Sequence, residues 1–199
     1  MSVGFFLGIH ASYIDEAQDA AESYLDAINS ALNTIGLDNY ADPDIPPIVY
    51  NDGLFGRSAL DHHSARCLIE FAERATADGK SPHLGLLAVN PYRVAFVPEC
   101  FDSPLPTGCA ESIGGDMVQI WVGSAPQLLA ELAAAAQFLE IPLEQGDLED
   151  VVARKINDFA GLYEGDDCSL AEDERTAWLV LYEGARLAVR HGVALSLAG

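Results

Sequence analysis

The chain has 199 residues, half of them hydrophobic and 21% charged, which supplies ample material for a core and the wrong balance for intrinsic disorder. Thirty-one acids against ten bases give a net charge of −21. That balance speaks against nucleic acid and against anionic membranes as partners, because both are bound by cations, and no apolar run approaches the ~20 residues that span a bilayer.

The N-terminal run from Val3 to His10 is apolar, carries no preceding Lys or Arg, and is too short for a signal-peptide core. It reads as a first strand in a chain that stays in the cytoplasm. Ser12 then caps a helix whose apolar stripe runs through Ala17, Ala20, Ala21, Tyr24, Leu25, Ile28, Leu32 and Ile35, with Gly36 as its stop. The opposite face carries Glu16, Asp19, Glu22 and Asp26.

Residues 38–47 are a loop by composition, and Ile48-Val49-Tyr50 is a short extended segment. Ser58 and Asp61 open a second helix with Leu60, Cys67, Leu68, Phe71, Ala72 and Ala75 inward. Two apolar runs, Leu84 to Val89 and Arg93 to Val97, flank Asn90-Pro91-Tyr92 and read as a hairpin. Residues 98–116 are expected to be a long irregular loop rich in Pro and Gly, followed by a strand from Met117 to Val122.

The last third is helical. Ser124 caps a helix with Leu128, Leu129, Leu132, Ala136 and Leu139 inward. Another runs from about Leu148 to Phe159 with Val151, Val152 and Ile156 inward. Ser169 to Glu172 is a capping box for a third, with Trp178, Leu181, Tyr182, Ala185, Ala188 and Val189 on one face. Val193 to Leu197 is a closing strand. Strands gathered in the middle between helices indicate an α+β fold: a central mixed, largely antiparallel sheet with amphipathic helices before it and a helical C-terminal third. The chain reads as one domain, 1–199, with a sub-boundary near 142–146.

The charge is unevenly spread. Residues 1–56 hold nine acids and no Lys or Arg, and residues 94–153 hold ten acids and no Lys or Arg. Residues 57–93 carry five bases against four acids. Some face of the fold is therefore almost purely anionic, and such a field attracts a basic protein partner.

Chemical motifs are sparse. Asp61-His62-His63 resembles the Asp-His-His signature of the manganese-dependent phosphoesterases, and that resemblance implies a role for the triplet in metal binding. In that family the triplet follows a buried strand and is completed by further aspartates. Here it follows Gly56 to Leu60, runs into a helix, and has upstream only Asp42-Pro43-Asp44 in a proline loop. His63 and Cys67 stand four residues apart, a spacing that places two ligands on one metal, but no second Cys/His pair completes the set. No cofactor or resident metal is expected. Gly53 to Ser58 precedes a helix start where Arg57 and free N–H groups could hold an anion, yet it lacks the ending of a phosphate-binding loop. Cys100 and Cys109 lie among Glu99, Asp102, Glu111 and Asp116, an acidic setting that opposes thiolate formation. No Gly-x-Ser-x-Gly elbow occurs, and with no Cys-x-x-Cys pair all four thiols are expected reduced.

The leading reading is an acidic cytoplasmic protein that docks a basic protein partner, in the manner of an immunity protein facing a cationic toxin. Glu16, Asp19, Glu22, Asp26, Arg57, Glu99 and Asp102 are its candidate contacts. The alternatives are a small-molecule enzyme with a site built from the 98–116 loop and the Asp61 helix start, and a homo-oligomer formed through the helical third.

Overall fold

The computed structural model describes residues 4–9, 18–44, 62–76, 79–89, 93–111, 116–144, 148–149, 151–153, 155–156 and 170–198. In chain order these form β1 (Gly4–Leu7), α1 (Gln18–Thr34), α2 (His62–Ala75), a single turn α3 (Leu86–Val89), β2 (Val94–Val97), β3 (Leu105–Glu111), β4 (Met117–Ser124), α4 (Ala125–Ala136), α5 (Leu170–His191) and β5 (Leu195–Ala198). A 3-10 turn, Gln137–Leu139, extends α4, and residues 151–153 and 155–156 are helical.

The strands make one mixed sheet in the order β1-β5-β2-β4-β3. The β1–β5, β5–β2 and β4–β3 pairings are antiparallel and only β2–β4 is parallel, so the fold is α+β with a largely antiparallel sheet. β5 arrives from α5 and inserts between β1 and β2, which makes the closing strand an interior one.

Strand alternation sends side chains to two separate cores. On one face Val94, Phe96, Leu195 and Leu197 pack with α2, α4 and α5, where Trp178 and Tyr182 stack at 4.5 Å and the Trp178 indole N–H donates to the Leu132 carbonyl at 2.7 Å. On the other face Ala95, Val97, Val118, Ile120 and Val122 pack with Tyr24, Ile28 and Leu32 of α1. The sheet is thus sandwiched between α1 alone and a layer containing α2, α4 and α5.

Helix boundaries follow local chemistry. Ser124 ends β4 and caps α4, its hydroxyl accepting the Gln127 N–H at 3.3 Å, with Pro126 in the first turn where a missing donor costs nothing. Gly36 and Gly192 stop α1 and α5 in left-handed conformations, at φ of 77° and 68°.

The structure corrects three local expectations. Residues 84–89 are not a strand: the stretch coils through 3-10-type bonds such as Leu87 N–H to Leu84 C=O into α3, held from outside by Glu131. Residues 98–116 are not irregular throughout, because Leu105–Glu111 is the edge strand β3, where Pro106 is tolerated and the register slips between Pro106 and Cys109. Ile35, Val151 and Val189, assigned to buried stripes, are exposed. The caps assigned to Ser12, Ser58 and Ser169, and the 48–50 segment, lie outside the described residues.

Candidate functional site

The fold sets α1, from one stretch that lacks cations, against β3 and β4 from the other, while α4 of that second stretch lies in the opposite layer. α1 belongs to residues 1–56 and packs chiefly on β3, with further contacts to β4, both of which belong to residues 94–153. Ala20, Ala21, Tyr24, Ala27, Ile28, Ala31 and Leu32 turn inward, which leaves Asp19, Glu22 and Asp26 exposed. Their spacing sets them about 4.5 and 6 Å apart along the helix axis. With Ser23, Ala27 and Ser30 of α1 and Gly108 and Cys109 at the β3 bulge, they line an open concavity of about 480 Å³. No Lys or Arg occurs on α1, β3 or β4.

Four of the described arginines lie on helices of the other layer and are engaged there. Arg74 lies over the rings of Phe71 and Phe138, 4.9 and 4.8 Å from their centroids. Arg66 pairs with Glu70 at 3.2 Å. Arg175 donates to the Leu139 carbonyl at 2.8 Å, and Arg186 binds Glu183 at 2.6 Å. The molecule is therefore electrostatically two-sided, with every described cation-bearing helix on the face opposite α1.

A buried tyrosine fixes α1 in place. The Tyr40 hydroxyl accepts the Ala194 N–H at 2.6 Å, just before β5, and donates to the Asp42 carboxylate. Its backbone N–H donates to Asn29 Oδ1 at 2.7 Å and its carbonyl accepts from Asn29 Nδ2 at 3.0 Å. Burial first, then the Asp42 carboxylate, drive the phenol pKa far above its ordinary value, so the hydroxyl stays a donor at any physiological pH. The loop after α1 thus ties the acidic helix to the sheet.

On the opposite face a polar cluster sits under the β4–α4 corner. Ser124 N–H donates to His83 Nδ1 at 3.0 Å, and the Glu131 carboxylate accepts the N–H groups of His83 and Leu84 at 3.1 and 2.6 Å. Burial pushes the Glu131 carboxyl up to about 7 and pulls the His83 imidazole down. The ring of Phe101 meets His83 edge-on at 5.7 Å. Beside this cluster Asp102, Lys80, Ser103 and Gln127 line a second open concavity of about 450 Å³.

The remaining candidates are distributed as follows. Glu99 and Asp102 are exposed on the segment between β2 and β3. Glu16, Arg57, Asp61 and the His62 side chain lie outside the described residues. Cys67, Cys100 and Cys109 are free thiols. Within α2, His63 Nε2 stands 3.7 Å from Cys67 Sγ, and α5 brings Glu174 to them, with one ligand atom from each within 4.8 Å of the others. Partial burial and the Glu174 carboxylate push the Cys67 thiol up to about 11. Glu174 was invisible as a partner in the sequence, since more than a hundred residues separate it from Cys67. His63 thus meets α5, while Asp61, at the helix start expected to contribute to an enzyme site with the 98–116 segment, lies outside the described residues.

No described helix is long and apolar enough to cross a membrane. No curated protein and no solved structure shows a significant match to the chain. Residues 61–197 match the family described as "Putative DNA-mimic protein", well over half of the chain. The chain belongs to this family. Membership places it among acidic proteins that bind a partner, in keeping with the two-sided charge distribution. It also corrects the expectation that nucleic acid has no part in the protein's partnerships. The charge that repels DNA is what allows an acidic protein to imitate it, so nucleic acid enters as the thing copied. The partner expected of a DNA mimic is a protein that binds DNA. The matched range begins at α2, so α1 precedes it while packing on strands inside it.

Proposed function

We propose that this protein acts in the cytoplasm as a nucleic-acid decoy, occupying the basic groove of a DNA-binding protein with the anionic face formed by α1 and the β3 edge. The observation that carries this reading is the row of exposed carboxylates Asp19, Glu22 and Asp26 on α1, packed on β3 and β4, with no Lys or Arg on any of these three elements and with Arg66, Arg74, Arg175 and Arg186 on helices of the other layer. A DNA strand presents a phosphate about every 3.4 Å along its axis. Carboxylates at about 4.5 and 6 Å along α1 offer a linear charge within a factor of two of that value. The concavity lined by Asp19, Glu22 and Asp26, together with Gly108 and Cys109, is open enough to receive a Lys or Arg side chain from the partner. A cationic toxin that acts on DNA, the narrower reading suggested by the immunity-like composition, would meet the same face.

The test is capture from the native cell lysate on the immobilised full chain, followed by elution with a short duplex DNA. A decoy releases its captured protein to the duplex, because one basic groove cannot hold both. Captured protein that duplex DNA fails to displace at any concentration, or no captured protein at low salt, would overturn the proposal.

A further inference from the structure

The residues at the α2–α5 contact carry a second inference, independent of the acidic face. His63 and Cys67 lie one helical turn apart on α2, and Glu174 reaches them from the second turn of α5. Two ligands on a tetrahedral zinc, with metal–sulfur and metal–nitrogen bonds of about 2.3 and 2.0 Å, are separated by roughly 3.5 Å. The His63 Nε2 to Cys67 Sγ distance is 3.7 Å. The third ligand comes from a residue only 8% exposed, whose carboxylate already holds a hydrogen bond with the Cys67 thiol and so faces the same point as the other two ligand atoms. Imidazole nitrogen, thiol sulfur and carboxylate oxygen together form a donor set suited to zinc, which accepts all three, and poorly suited to magnesium or calcium, which take oxygen alone.

We propose that His63, Cys67 and Glu174 form a binding site for a zinc-class divalent cation that ties α2 to the N-terminal half of α5. As the metal–sulfur bond forms, the Cys67 thiol proton leaves to solvent. Zinc with three protein ligands takes water in its fourth position, and the exposure of His63 puts the site at the surface. The bound ion would fix the start of α5, whose later turns carry the core residues Trp178 and Tyr182. It would also place a positive charge on the face that already holds the cations, sharpening the contrast with α1.

The experiment uses the full chain without a histidine tag, stripped with a chelator and titrated with cobalt(II) as a spectroscopic probe and with zinc by calorimetry. The expected result is one equivalent bound, with a near-ultraviolet sulfur-to-cobalt charge-transfer band that disappears in Cys67→Ser. Glu174→Gln and His63→Ala should each weaken zinc binding by more than ~10-fold, since even indirect support of a metal ligand is worth that much. His63 is exposed, so His63→Ala retains the fold and keeps the test valid should a change at buried Glu174 unfold the chain. A stoichiometric cobalt complex without a thiolate band, zinc affinity unchanged in His63→Ala, or no binding at one equivalent would overturn the proposal.

Discussion

The Glu131 carboxylate of α4 accepts the Leu84 backbone N–H at 2.6 Å, across 47 positions of sequence, and thereby caps the turn that leads into α3. Its second acceptance, from the His83 N–H at 3.1 Å, leaves one side chain satisfying two buried donors. An acceptor of this kind is worth most when ionised, yet burial opposes ionisation and wins, lifting the carboxyl from 4.5 to about 7.

A pH dependence follows from that competition. The folded protein holds the Glu131 proton more tightly than the unfolded chain does, so this group's contribution is full below pH 4.5 and is lost as pH rises through about 7. The loss is on the order of 3 kcal/mol. His83 works in the opposite sense, because its lowered pKa makes stability fall as pH drops below 6.5. The Glu131→Gln variant removes only the first contribution. Urea denaturation of both proteins between pH 5 and 8 should show the wild-type advantage shrinking by about that amount as pH rises. Parallel profiles would show that Glu131 does not titrate in this range.

Close packing in the sheet gives a second expectation. Gly123 of β4 lies against the fully buried Phe96 ring of β2: a Cβ placed there would stand 2.6 Å from Phe96 Cε1 and 3.2 Å from Leu86 Cδ1. Gly123→Ala must displace an interior aromatic ring with little space to receive it, at a cost of about 1–3 kcal/mol. Phe96→Ala removes the clashing atoms, so the double variant should lose less than the sum of the two single losses. Additive losses in thermal or denaturant unfolding would place the strain elsewhere.

These two examples show where sequence reading succeeds and where it stops. The stripes of α1, α2, α4 and α5 are legible because helical periodicity and caps are local signals, and the Ser124 N-cap falls where its spacing places it. The 84–89 run is apolar enough for either a strand or a helical turn, and Glu131 from a distant helix decides the outcome. β3 is hidden by Pro106, which an edge strand tolerates and an interior strand does not. Ile35 follows the stripe in sequence, yet it lies one residue past α1 and points away at 45% exposure. The outward set of α1 carboxylates is local and legible, whereas the layer beneath them, and the Glu174 that joins His63 and Cys67, exist only after folding.

Tyr40 tests whether the acidic helix is held by the loop that follows it. Tyr40→Phe keeps the ring and deletes the hydroxyl, which leaves the Ala194 N–H without its acceptor and Asp42 without its phenolic donor. Stranding a buried backbone donor costs about 1–3 kcal/mol. The variant should melt lower, and the Ala194 amide should exchange with solvent faster than the amides of β2. Unchanged exchange at Ala194 would mean that another acceptor replaces the hydroxyl and that Tyr40 is not the anchor of this layer.

The placement of the docking face is the most consequential expectation, because α1 precedes the family-matched range 61–197 while carrying the clearest row of outward carboxylates. Asp19→Lys with Glu22→Lys reverses two exposed charges without touching the buried stripe. Stability should therefore change little, apart from about 0.3–1 kcal/mol for losing Asp19 near the positive end of the helix. The control is Glu140→Lys with Glu144→Lys. These reversals change net charge equally, but they lie just beyond α4, where Glu140 faces Arg175 at 3.6 Å. Electrostatic steering depends on the local field at the docking face as well as on net charge, and can change association rates by 10- to ~1000-fold. With the captured partner in hand, the α1 pair should slow association by about tenfold or more, while the control pair should act several-fold less. Raising the salt should narrow the gap, since screening over ~10 Å at 0.1 M removes the field that distinguishes the two faces. Equal slowing by both pairs would show that only total charge matters. A larger effect from the control pair would move the docking surface from α1 to the helical layer inside the matched range.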